Sequence, residues 1–177
     1  RDALSRGRTF AIGTLRPGWE RDYHGSPAFH PLACLAQIET IQWLPNDCYD
    51  LVVSGTERLR LGAAVREFPY RSCAAERLPV TPYDADDPLA GMERHALLEA
   101  ARPLLAGGPE AWFAPPDVAD DAPFEAVVNT LAQSLRIDTA ARLELLALDG
   151  VFDRARRLHE HLRRMQRQRP EHESILE

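Results

Sequence analysis

Residues 32–61 read LACLAQIETIQWLPNDCYDLVVSGTERLRL, and this stretch decides the fold. Leu32 to Leu44 is long and mainly apolar, and reads as the first long strand. Along such a strand Leu35, Gln37, Glu39, Ile41 and Trp43 share one side, and Ala36, Ile38, Thr40, Gln42 and Leu44 the other. Neither side is purely polar, so the strand is expected to curve or change surroundings midway. Pro45-Asn46-Asp47 is turn chemistry. Cys48 to Ser54 reads as the return strand of a hairpin. Gly55-Thr56 marks a second tight turn, with Ser54 as a turn residue. Glu57 to Phe68 is then a further strand, in which Leu59 and Leu61 oppose Arg58 and Arg60, and Gly62 marks a bulge.

Working outward, Arg8 to Leu15 (RTFAIGTL) suits a buried strand. Arg1 to Leu4 before it reads as the middle of a helix. Residues 16–31 carry three Pro-containing breaks and read as a long loop, of the kind that is functional or mobile. Beyond Pro69, Tyr70 to Val80 completes the strands. Strands at this spacing with short turns predict an antiparallel barrel or sandwich. Thr81 to Pro88 (TPYDADDP) is a Pro- and Asp-rich boundary, and helical periodicity follows it. Helices are predicted over 89–105, from Pro123 through the stripe Phe124, Val127, Val128, Leu131 and Leu135, over 139–148 behind an Asp138 N-cap, and from an Asp149 N-cap to about 168. The predicted organisation is a β lobe over 1–83, a helical lobe over 84–168 and a polar tail over 169–177, an α+β fold.

Composition excludes much chemistry. The chain of 177 residues carries 21 basic residues, all arginine, against 27 acidic ones, for a net charge of −6. Without lysine there is no Walker A phosphate loop, no lysine Schiff base and no Ser–Lys nucleophile pair. Cys34, Cys48 and Cys73 are widely spaced and form no CxxC pair, so they predict no structural zinc. All three fall in strand-like segments, where a thiol acts as a small hydrophobe. No apolar run approaches the ~18 residues of a spanning helix. A cytoplasmic protein is expected, with no membrane, cofactor or metal.

Local motifs fail on spacing. His159-Glu160-His161 places its two histidines two residues apart, about 200° around a helix, so they cannot share one metal. His24 and His30 share a loop but lack a third ligand. Asp84-Ala85-Asp86-Asp87 starts like a calcium loop, then meets Pro88 and Leu89 where the pattern needs a ligand and glycine. Those acids suit a helix N-terminus instead. Ser54 lacks both flanking glycines of a nucleophile elbow. From Val151 to Arg169 seven arginines stand against Asp153 and Glu160, a local net of +5. That charge is a candidate surface for RNA or an acidic partner, or a solvated helix face. No aromatic interleaves with it, so base stacking is not signalled.

Residues 32–80 resemble the N-terminal domain of the Lon ATP-dependent protease, most sharply over 36–61. The resemblance rests on Ala36-Gln37-Ile38-Glu39, Trp43-Leu44-Pro45-Asn46-Asp47, Tyr49-Asp50-Leu51, Gly55 and Arg58-Leu59-Arg60-Leu61, and continues through Pro69-Tyr70. In layout it extends over about residues 1–165. It implies a β-barrel lobe like that of pseudouridine synthases and archaeosine transglycosylases (PUA-like), packed on a helical bundle lobe. The family's opening Phe-Pro-Gly strand and Glu-Pro-Arg-Tyr segment are not found here, so the resemblance implies a barrel without its first strands. It also implies a stand-alone, non-catalytic member, lacking ATPase and protease domains, that recognises substrates.

The expected ligand is therefore an unfolded or extended polypeptide, or a protein partner. Loop aromatics are its expected contacts: Trp19, Tyr23, Trp112 and Phe113, lining a groove between the lobes. RNA binding through the basic last helix is the competing expectation, disfavoured by the overall negative charge.

Overall fold

A computed structural model describes residues 2–5, 7–105 and 122–168. The chain divides into two units, residues 1–79 and 80–177.

The first unit opens with a short helix α1 (Asp2–Ser5) and continues with strands β1 (Thr9–Leu15), β2 (Phe29–Trp43), β3 (Tyr49–Arg66) and β4 (Ser72–Arg77). All neighbours are antiparallel, in the order β1-β2-β3-β4. Asn46 and Asp47 sit at φ 62° and 58°, the left-handed pair that a tight β2–β3 hairpin needs and that Asn and Asp tolerate.

β3 runs unbroken through Gly55-Thr56, where the sequence predicts a turn. Two bulges explain both that difference and the mixed faces of β2. Ile38 pairs with Val53 and Thr40 with Val52, which leaves Glu39 as an extra residue on β2. Past Glu39 the side-chain alternation flips, so Ile41 and Trp43 join the face of Ala36 and Ile38, opposite Leu51 and Tyr49. Leu35 pairs with Glu57 and Ala36 with Gly55, which leaves Thr56 extra on β3. That second flip carries Leu59, 5% exposed, to the other face beside Ala33. Ser54 is thus a mid-strand residue, not a turn residue, and its hydroxyl donates to the Glu39 carboxylate across the ladder. The bulges curl the sheet into a half-barrel. The Tyr70 hydroxyl, from the loop after β3, reaches the Asp2 carboxylate of α1 at 2.6 Å.

Few apolar side chains of this unit are fully buried: Ala33, Ala36, Ile38 and Leu59. Trp43, Leu51, Val52, Val65 and Phe68 stand exposed. Cys34 and Cys73 are half-buried in strands, but Cys48 is exposed in the hairpin turn and does not act as a core hydrophobe. All three are free thiols.

The second unit holds helices α2 (Pro88–Leu105), α3 (Phe124–Ser134), α4 (Thr139–Ala147) and α5 (Val151–Gln168). Thr81 and Tyr83 belong to it by contact. The Thr81 N–H donates to the Asp149 carbonyl at 3.2 Å. The Tyr83 ring packs edge-on against Phe124 and Phe152, at 6.0 and 6.2 Å. Its core follows the predicted stripe in α3, where Val127, Val128 and Leu131 are fully buried, and in α5, where Leu158 and Leu162 are. In α2 the expected stripe of Met92, Ala96, Leu97 and Ala100 is displaced, with Met92 69% exposed and Leu97 and Leu104 buried. Each such leucine contributes roughly 1.5–3 kcal/mol by leaving water. Asp138 caps α4 as predicted, accepting the Ala141 N–H at 2.7 Å. Gly150, rather than Asp149, directly precedes α5.

The acidic run at α2 behaves as helix-start chemistry. Asp87 Oδ1 accepts the Leu89 N–H at 2.9 Å, and Asp84 Oδ1 accepts the Asp86 N–H at 3.0 Å. Among the described residues no helix is long and apolar enough to cross a membrane.

Candidate binding surface

β1 ends at Leu15, and Gly18 at φ 87° takes the left-handed conformation that leads into a 3-10 turn, Trp19–Asp22. The neck of this loop is pinned on both sides. The Arg16 N–H donates to the Ala28 carbonyl at 2.8 Å, and Arg16 Nε to the Phe29 carbonyl at 3.2 Å. Arg71 Nη1 donates to the Pro27 carbonyl at 2.8 Å, its guanidinium 5.3 Å above the Phe29 ring. The Ser26 hydroxyl donates to Glu67 Oε2 at 2.8 Å, and Arg71 Nε pairs with the same oxygen at 3.0 Å. The Ser26 hydrogen bond, and after it Arg71, holds the Glu67 carboxyl below the usual range.

Above this neck the crown 19–25 stands open. The Trp19 and Tyr23 rings lie 5.6 Å apart and tilted by 52°, with Tyr23 63% exposed. His24 meets Tyr23 edge-on at 5.1 Å. Residues 19–25 enclose an open cup of about 610 Å³. Trp19 and Tyr23, both expected contacts, are therefore brought together. Trp112 and Phe113 lie outside the described residues, as does the tail 169–177.

A second, apolar pocket of about 200 Å³ is lined by Ala3, Leu4, Phe10, Ile38, Tyr49 and Leu51. Trp43 stands beside it, 4.8 Å from the Tyr49 ring. Sequence reading missed this surface, because simple alternation assigns Ile38 and Trp43 to opposite faces and only the Glu39 bulge unites them. The mixed polarity of Leu32 to Leu44 was the available signal.

The first half of the basic helix α5 is engaged by carboxylates, whereas Arg163, Arg164 and Arg167 in its second half are exposed. Arg154 Nη2 reaches Glu125 Oε1 at 2.6 Å and its Nη1 reaches Asn129 Oδ1 at 2.8 Å. Arg157 Nη2 pairs with Glu144 at 2.6 Å and Nη1 with Glu160; Arg156 pairs with Asp153 at 3.4 Å. The Arg157 hydrogen bond holds the Glu144 carboxyl below its ordinary value. His161 Nε2 faces Glu144 at 3.5 Å. Among the described residues no cluster of His, Cys, Asp or Glu is placed to hold a metal ion.

A curled antiparallel sheet followed by its own helical unit is the α+β class represented by the N-terminal domains of Lon proteases. The fold is similar to the N-terminal domain of the Mycobacterium avium complex Lon protease, with TM-score 0.53 and 17% identity over 87% of this chain and 90% of that one. The chain belongs to the ATP-dependent protease La (LON) substrate-binding domain family, whose profile matches residues 1–164. A Lon N-terminal domain protein from Xanthomonas campestris aligns over 89% of both chains at 22% identity, with TM-score 0.47. No curated protein matches the chain.

Proposed function

We propose that this chain is a non-catalytic, cytoplasmic recognition module that holds an unfolded or extended polypeptide, with Trp19 and Tyr23 among its contacts. Family membership over residues 1–164 carries the reading, because the substrates of an ATP-dependent protease are polypeptides. The exposed Tyr23 ring and the half-buried Trp19 ring beside it supply large, rigid contact area of the type that dominates interface energetics. Trp112 and Phe113 are proposed as further contacts on the sequence argument alone. Three free cysteines fit a reducing compartment. RNA is the weaker reading, because the chain carries a net charge of −6 and Arg154, Arg156 and Arg157 already face carboxylates, which leaves Arg163, Arg164 and Arg167 for a polyanion.

Fluorescence anisotropy with a labelled unfolded polypeptide, its native form and a single-stranded RNA tests this. Binding of the unfolded form alone, weakened about tenfold in the Trp19→Ala/Tyr23→Ala variant, is expected for a hot-spot pair. RNA binding that falls steeply with salt, without polypeptide binding, overturns it.

A further inference from the structure

We propose that the crown 19–25 is a cation-selecting contact, taking an arginine or lysine side chain of the bound polypeptide against the Trp19–Tyr23 ring pair. This deepens the polypeptide reading and rests on it, naming which segments of an unfolded chain are gripped.

Three observations converge on one occupant. First, the two rings pack against each other, 5.6 Å between centroids and 52° between planes, and the Tyr23 ring is 63% exposed, which leaves ring surface open to a guest. Aromatic faces are electron-rich and attract a guanidinium or ammonium, tryptophan most strongly. Second, the same cup is lined by the carboxylates of Glu20 and Asp22. Among the described residues neither is joined to a base by an ion pair. Gly25 leaves room for the Asp22 carboxylate in the cup: a Cβ there would stand 2.0 Å from Asp22 Oδ1. Arg21 also lines the cup and opposes a cationic guest, but the two carboxylates outweigh it. The net charge of −6 adds a field of the same sign as the carboxylates. Third, the neck is pinned through Arg16, Ser26 and Arg71, so little ordering is required when a guest arrives. A neutral side chain gains the ring contact without the charge term, and an acidic one meets repulsion.

The test uses the full chain and short fluorescein-labelled peptides of one apolar sequence, with Arg, Lys, Gln or Glu at the central position. The Arg and Lys peptides are expected to bind about five-fold tighter than the Gln peptide, and the Glu peptide weakest. Trp19→Ala should level the series, whereas Trp19→Phe keeps part of the preference. Glu20→Gln with Asp22→Asn should weaken the Arg peptide and leave the Gln peptide unchanged. Circular dichroism of each variant separates a lost contact from a lost fold. Equal binding of all four peptides, or a preference that survives Trp19→Ala in a folded variant, overturns the inference while leaving polypeptide recognition standing. Failure of every peptide to bind overturns both.

Discussion

The Cys34 thiol occupies the space that any side chain at Gly55 would need: a Cβ built there stands 2.9 Å from Sγ. Gly55 pairs with Ala36 beside the Thr56 bulge, so the contact sits where β3 changes face. Burial pushes the Cys34 thiol up from its ordinary value, against a smaller opposing hydrogen bond from the Thr56 backbone. Gly55→Ala is expected to destabilise the β unit by about 1–3 kcal/mol through overpacking. Adding Cys34→Ala should recover part of that loss, giving a coupling of about 1 kcal/mol in a double-mutant cycle. Urea denaturation of the four proteins checks it. Strictly additive losses would mean that the strands part at the bulge and the thiol is no obstacle.

The same bulge marks the limit of what the sequence disclosed. Gly55-Thr56 has the composition of a tight turn, and local propensity alone cannot distinguish a turn from a bulge. The ladder decides, because β2 supplies partners on both sides of Thr56 and β3 therefore continues. Glu39 is likewise silent in isolation. Its one extra residue joins Ile38 to Trp43 across an alternation that keeps them apart on paper. The helical unit was far more legible, since Val127, Val128, Leu131 and Leu135 declare their face by spacing alone. Trp19 and Tyr23 were recognisable as loop aromatics. Their juxtaposition was not, because it depends on a left-handed Gly18 and a neck tied to residues more than forty positions away.

Arg154 offers a test of the helical unit. Its side chain is 8% exposed while that of Glu125 is 39% exposed, so the pair is unequal. Removing the carboxylate strands a buried guanidinium, whereas replacing the arginine by a long apolar side chain strands no charge. Glu125→Ala is expected to cost about 2–3 kcal/mol, and Arg154→Met within about 1 kcal/mol of neutral. Thermal and urea unfolding of both variants should show this order. The reverse order would place the stabilisation in the packing of the arginine stem rather than in the pairing of its charge.

Ser26 and Glu67 tie the neck of the aromatic crown to the loop after β3, and this link responds to pH. The Ser26 hydroxyl at 2.8 Å is the largest cause holding Glu67 below the usual carboxylate range, and Arg71 adds to it. A depressed folded value means that the unfolded chain takes up the proton first on acidification. The link therefore stabilises fully above the unfolded glutamate value of about 4.3 and is lost as pH falls through the folded one. Ser26→Ala removes the largest cause, so the Glu67 titration should move up towards its ordinary value. An NMR titration of the Glu67 side-chain carboxyl reads this directly. With the neck loosened, Tyr23 ring resonances should broaden in Ser26→Ala at neutral pH and in the parent chain only at acid pH. An unchanged Glu67 midpoint in Ser26→Ala would assign the shift to Arg71 and leave the crown's support to the guanidinium alone.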